Sequence, residues 1–451
     1  MNLNHIPRRT FFRGATLGAG TILLAPVLRQ IEAQAPAAGR AFSALVAADR
    51  PFPPGWLPLH RLDDTPTWSD FRKVDDRVHL YLPPKVETVR GVFVCFVFHS
   101  SDARELARLW RFALVTVPWP FEFDLGHNDK RNGRFQLGHP VGNMGVLLRY
   151  LDVAAKETRH PELAVAPLVG WLGQNGGALC ADLHRRAPER VLAWADSFPN
   201  RLDQQPQLTA AVPFAYAWEF TKQEEQERRT KREAALPALA GKATPPTDFK
   251  CRANTYGFPH GIYSKFNFFA AFLDRCIALR LPAEPPPPGQ PVKLRPVLRE
   301  QGWAGDYNAV GEWNAIAPFA EARGMLAPVW LPDASAAWMW RAYHSAQPDL
   351  QLTAPAVEYR KKDGKWGGPE CGLGYGGQVA AGEPLRFAAA SKGAYLKIEF
   401  HAGDRIVGTS DQAPWQVEGV RLTRGLHALF AVGVTADGTR RCSRPAFLVV
   451  E

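Results

Sequence analysis

Residues 168–195 carry the arrangement that most restricts how this chain folds. An apolar run, Leu168-Val169-Gly170-Trp171-Leu172, enters the turn Gly173-Gln174-Asn175-Gly176-Gly177. A helix-length stretch then ends before Pro188, and a second apolar run, Val191–Ala195, follows. A strand, a tight glycine turn, a helix and a further strand form a crossover unit, and such a unit needs a parallel sheet to complete it. The flanking sequence supplies one. Gly91–Phe98 is a continuous β-branched and aromatic run, as a strand buried on both faces requires. Asp102–Arg111 repeats apolar residues at helical spacing, Ala113–Val117 reads as the next strand, and Val141–Thr158 as a long helix. Val78–Pro83 reads as an edge strand ended by prolines, Leu163–Leu172 as the strand before the turn, Ala210–Ala217 as a further strand, and Lys265–Leu281 as a closing helix. The order predicts an α/β fold, a doubly wound and mostly parallel sheet with helices on both faces.

The texture changes toward the carboxyl end. From about Leu350 short alternating strands are divided by glycine turns, as in Leu396–His401, Ala402–Arg405 and the resumption at Ile406. This predicts a small all-β sandwich over 350–451. The main domain then covers 36–345, including a proline-rich strap at 282–291 and a segment holding Trp303, Trp313, Trp330, Trp338 and Trp340. Those indoles are expected to pack against the main domain.

Residues 1–35 read as an address. Arg8 and Arg9 precede Phe11, Phe12 and Arg13 in the twin-arginine pattern, and a glycine- and alanine-rich apolar stretch follows to Leu28. Periplasmic or secreted localisation is the expectation, with no membrane span in the mature chain. The net charge of +10 over 451 residues is a modest basic excess, and no reader motif accompanies it, so no nucleic-acid partner is expected. The charged stretch Thr221–Ala235 reads as a solvated helix face. Six cysteines are too few for a disulfide scaffold; Cys251 with Cys276, and Cys371 with Cys442, are the pairs an oxidising compartment would allow. Neither these nor the twelve histidines form a metal pattern, and no cofactor is expected.

Residues about 75–282 resemble the α/β-hydrolase superfamily, in particular secreted esterases of the dienelactone-hydrolase and polysaccharide-esterase kind. The residues that carry this are Pro161–Ala164, the turn at 173–177, Pro188–Ala193, Phe258-Pro259-His260-Gly261, Phe269–Asp274 and Arg280-Leu281-Pro282. Residues 394–404 and 443–450 look like the bacterial immunoglobulin-like modules appended to many secreted enzymes.

The resemblance implies a nucleophile elbow, Gly-x-Ser-x-Gly, at 173–177. Asn175 occupies the nucleophile position, and an amide is not activated by an imidazole as a hydroxyl is. His260 matches the general base, with Glu219 or Asp196 as the orienting acid. The Gly176 N–H and a donor from the loop around Ser100 match the oxyanion hole. The expected function is a catalytically degenerate, pseudo-esterase binding protein for a small-molecule or polysaccharide ester. The alternative is an active ester hydrolase on cell-wall or plant polysaccharides with a non-standard nucleophile. Deamidation at Asn175-Gly176 would supply one such nucleophile, an aspartate.

Overall fold

The computed structural model describes residues 40–43, 79–96, 101–117, 144–173, 176–197, 208, 210–217, 230, 248–253, 262–307, 313, 315–323, 325, 328–355 and 379–451. The stretches 1–35 and Thr221–Ala235 (Thr230 apart) and Cys371 lie outside them.

The first part alternates strands and helices: β1 (Arg40–Ser43), β2 (His79–Leu82), β3 (Val92–Phe96), α1 (Ser101–Trp110), β4 (Ala113–Val117), α2 (Met144–Thr158), β5 (Leu168–Gly173), α3 (Gly176–Arg186), β6 (Val191–Ser197), β7 (Phe214–Ala217), β8 (Lys250–Arg252) and α4 (Ile262–Arg280). One eight-stranded sheet results, in the order β1-β2-β4-β3-β5-β6-β7-β8. Strands β3 to β8 pair parallel throughout, while β2 is antiparallel to both β1 and β4.

Strand pleat sorts the core into two layers. Phe93, Cys95, Leu114, Val169 and Trp171 face α1 and α4, where Leu106, Trp110, Phe268, Phe272 and Cys276 meet them. Val92, Val94, Val115, Leu168 and Trp194 face α2 and α3, against Leu147, Tyr150, Leu151, Leu179 and Leu183. Buried Asp182 joins α3 to α2, pairing with Arg185 at 2.8 Å and Arg186 at 2.9 Å and accepting from the Met144 N–H at 3.3 Å.

Two expectations are corrected. The strand read from Leu163 begins at Leu168, because Pro161–Ala164 forms a 3₁₀ turn. Glu162 pins that turn, its Oε1 accepting from the Val89 N–H at 2.8 Å. Cys251 and Cys276 form no disulfide; both are thiols sealed in the apolar layer between β8 and α4, where burial raises their pKa well above the ordinary value. Cys442 is likewise a thiol, pushed by burial up to about 12.

The proline strap runs along the amino ends of the strands. Pro282 accepts from Arg90 Nη2 at 2.8 Å, and Arg280 at the base of the strap donates to the Val191 carbonyl at 2.9 Å. The carboxyl ends of the strands are thus on the opposite edge.

The tryptophan-rich segment folds into a three-stranded sheet, β9 (Trp303–Asp306), β10 (Ile316–Pro318) and β11 (Pro328–Leu331), ordered β10-β9-β11, followed by α5 (Ala334–Ser345). Trp330 and Trp340 are fully buried against the main core, as their apolar bulk requires. Trp313 and Trp338 instead pack on Phe430 and Val432 of the following module.

That module is a sandwich. Strands β12 (Leu350–Ala354), β13 (Pro384–Ser391) and β16 (Gln416–Arg421) make one sheet. Strands β15 (Arg405–Ser410), β14 (Lys397–Ala402), β17 (Gly425–Val434) and β18 (Arg440–Cys442) make the other, with β19 (Ala446–Val450) also pairing with β17. Phe387, Ile398, Phe400, Leu429 and Val450 fill the space between them. The outer face of β17 and β19 presents Ala428, Phe447 and Val449 to the α/β core, so the two parts share one apolar layer. No described helix is long and apolar enough to cross a membrane.

Candidate functional site

All six parallel strands, β3 to β8, end at one edge. Open α/β sheets bind ligands in the crevice outside the carboxyl ends of their strands. The predicted site residues follow those ends in the chain: Ser100 after β3, Asn175 after β5, Asp196 within the last turn of β6, Glu219 after β7 and His260 after β8, two residues before α4. Ser100, Asn175, Glu219 and His260 lie outside the described residues. Gly176 and Asp196 are described.

The turn is prepared by close packing beneath it. A Cβ on Gly170 would stand 2.4 Å from the Trp194 ring, so only glycine lets β5 and β6 carry that indole between them. Above it, Leu172 pairs with Asp196 and Gly173 with Ser197 in parallel register. Helix α3 then opens at Gly176, whose N–H is among the first four donors that a helix leaves without an internal partner.

Asp196 meets the next of those donors, the Gly177 N–H. Its side chain is fully buried, and Oδ2 accepts from the Gly177 N–H at 2.9 Å. An acid on the neighbouring strand therefore caps α3, where the helix dipole favours a negative charge by about 0.3–1 kcal/mol, more when buried. Cys180 on α3 is held well above its ordinary pKa, by burial first and by the Asp196 charge second. It stays a thiol, sealed among the apolar side chains of α3.

Of the two acids that the sequence leaves open, Asp196 thus has a defined backbone partner, which strand-by-strand reading missed. That partner lies nineteen residues earlier in the chain and is set by β5–β6 register, which no local pattern encodes. A second group also escaped sequence reading: Arg252 at the end of β8 lies 4.4 Å from the Tyr307 ring, and Trp340 donates to its carbonyl at 2.7 Å. Trp340 in turn stacks on buried His344 at 4.9 Å. This group anchors the β9–β11 sheet beside the carboxyl end of β8. Among the described residues, no cluster of three or more histidines, cysteines or acids is arranged to hold a metal ion.

No protein-family model matches the chain, and no curated protein does. Among solved structures, 23% of the chain is similar to fibronectin(III)-like modules of Clostridium thermocellum CbhA, at 23% identity, 45% coverage of that chain and a TM-score of 0.18. Over 84% of its length it is similar to Bacteroides uniformis β-glucuronidase 2, at 10% identity, 52% coverage and a TM-score of 0.19. A Cellulomonas fimi endo-β-1,4-mannanase gives 13% identity over 68% of this chain and 70% of its own, with a TM-score of 0.14. The chain spans about half the length of the first two, and similarity at these TM-scores carries no weight for fold or activity.

Proposed function

We propose that the chain is an exported protein on an α/β-hydrolase fold whose site binds an ester-bearing ligand, small or polysaccharide, without cleaving it covalently. The mostly parallel sheet supports the fold, with its strand–turn–helix at the centre between β3 and β6. The observation that carries the absence of cleavage is Asn175 at the position the resemblance gives the nucleophile, an amide that an imidazole does not activate. An oxyanion hole works by aiming unspent positive dipoles at a developing negative charge. Here the Asp196 carboxylate accepts from the Gly177 N–H, one residue beyond the Gly176 N–H that the resemblance assigns to the oxyanion hole, and places negative charge at the start of α3 where a developing oxyanion would need unspent dipoles. The fold alone does not license an activity, so the site decides. The twin-arginine pattern supports export, and export of a folded protein suits a two-part molecule with a continuous core.

The test is hydrolysis of p-nitrophenyl acetate and butyrate by the full chain beside its His260→Ala variant. The expected result is equal, background rates for both proteins. Turnover in the parent that disappears in His260→Ala would overturn the proposal and make the chain an ester hydrolase with an unusual nucleophile.

A further inference from the structure

Cysteine is the residue whose chemistry changes most between a reducing and an oxidising compartment. The described residues hold five of the six: Cys95 on β3, Cys180 on α3, Cys251 on β8, Cys276 on α4 and Cys442 on β18. All five are thiols, and none is more than 1% exposed.

The fold keeps most of them apart. Cys95 of β3 stands opposite Trp171 of β5, and the same row continues through Ala195 of β6 and Ala215 of β7 to Cys251 of β8. The two thiols are thus four strands apart in one sheet, about 19 Å at the usual strand spacing. A disulfide needs its Cα atoms within about 7 Å. Cys180 belongs to the other layer, among Leu147, Leu151, Leu179 and Leu183, so the sheet itself separates it from Cys95, Cys251 and Cys276. Cys442 lies outside both layers, at the seam with α5, where its Sγ donates to the Ala342 carbonyl at 3.6 Å. Cys251 and Cys276 are near enough for the charge of one to raise the pKa of the other.

An unfolded chain observes none of these separations. Loop-closure cost grows only with the logarithm of length, so distant thiols pair almost as readily as near ones. In each pairing two thiols give two protons and two electrons to a disulfide oxidant, which leaves as two thiols while an S–S bond forms in the chain. A bond from Cys180 to Cys95, Cys251 or Cys276, or from Cys95 to Cys251, cannot coexist with the eight-stranded sheet. Once the sheet has formed, exchange needs a thiolate that touches the oxidant, and burial hides all five sulfurs.

We propose that this chain folds only with its thiols reduced and is thereafter sealed against oxidation, so that folding must be complete before the protein meets an oxidising compartment. A route that carries folded chains, as the twin-arginine pattern implies, would deliver such a protein intact. A route that threads unfolded chain into an oxidising compartment would not. The inference rests on the cysteines alone and stands apart from the ester reading.

The test starts from the full chain carrying Cys371→Ala, since Cys371 lies outside the described residues. It is unfolded in urea with dithiothreitol, then diluted into dithiothreitol or into glutathione disulfide. Native tryptophan emission and melting temperature measure the folded fraction, and Ellman's reagent in denaturant counts the thiols. The folded fraction is expected to be roughly fivefold or more lower in glutathione disulfide, and to recover when reductant is added. Protein folded first and then held in the same glutathione disulfide should keep all five thiols. Cys180→Ala, which removes the pairings that cross the sheet, should narrow the gap between the two refolding yields. For a chain that does not return from urea, synthesis in bacterial hosts with a reducing or an oxidising cytoplasm makes the same comparison, with Arg8→Lys and Arg9→Lys to retain it there. Equal folded yields under the two conditions overturn the proposal. So does a gap that Cys180→Ala leaves unchanged, or a loss of thiols from the folded protein.

Discussion

Asp196 shows how one side chain can serve a fold where its position suggests chemistry. Its carboxylate is buried and tied to the first turn of α3, so removing it strands a donor as well as a charge. Asp196→Ala is expected to lose about 1–3 kcal/mol in urea unfolding, and Asp196→Asn less, because an amide oxygen still accepts. Equal losses would show that the charge matters and the hydrogen bond does not. Beneath it, Gly170→Ala forces a methyl into the Trp194 ring and should cost about 1–3 kcal/mol with a change in tryptophan emission. The raised pKa of Cys180 predicts a thiol that Ellman's reagent reaches only in denaturant; rapid labelling of the native protein would contradict its burial. At this scale the sequence showed the glycines of 173–177 and the amide of Asn175 among them. It did not show what Asp196 bonds, because the two partners are joined by strand register.

At the scale of elements, local pattern and observed structure agree where the pattern is long. Ala113–Val117 forms a strand with the expected limits, and the helices around 101–110 and 176–186 start and stop within a residue or two of the expected ends. Short elements went unread: β8 has three residues, and β10 has three, too few for any alternation to register. Helix α5 also lacks a clean apolar stripe, since it is buried on two sides by different partners. Its start is nonetheless built locally. Asp333 accepts from the Ala336 N–H at 2.8 Å and receives Arg275 of α4 at 2.7 Å. Asp333→Ala should cost about 1–2 kcal/mol, and Arg275→Ala less, since that pair is partly exposed. Thermal unfolding of the two variants separates cap from ion pair; a larger loss for Arg275→Ala would reverse the assignment.

For the whole molecule, the join between sandwich and α/β core holds a group that responds to pH. His401 is enclosed by Trp338 and Phe430, faces Glu399 on its own strand, and has Arg440 of β18 and Arg341 of α5 nearby. Burial outweighs Glu399 and lowers its pKa to about 4 from an ordinary 6.5. A histidine depressed in the folded state stabilises fully above the unfolded value and loses that contribution as pH falls from 6.5 toward 4. The loss is on the order of 3 kcal/mol if the whole shift is realised. From pH 7 to 4 the parent should lose stability relative to His401→Leu, while Asp274, raised by burial to about 6, gains stability over the same range in both proteins; a difference between parent and variant that does not change with pH would place the acid-sensitive group elsewhere.

The sequence by itself determined the alternation of strands and helices and the change to a β-sandwich near residue 350. Each is written in neighbours a few residues apart, within reach of pleat, helix repeat and turn chemistry. Tertiary structure alone decided that Trp340 belongs to the α/β core and Trp338, two residues away on the same helix, to the sandwich. It also decided that Asp196 caps α3 and that Arg341 is buried against two indoles. Two positions along a helix point to nearly opposite sides, and which side meets which partner depends on contacts between residues far apart in the chain.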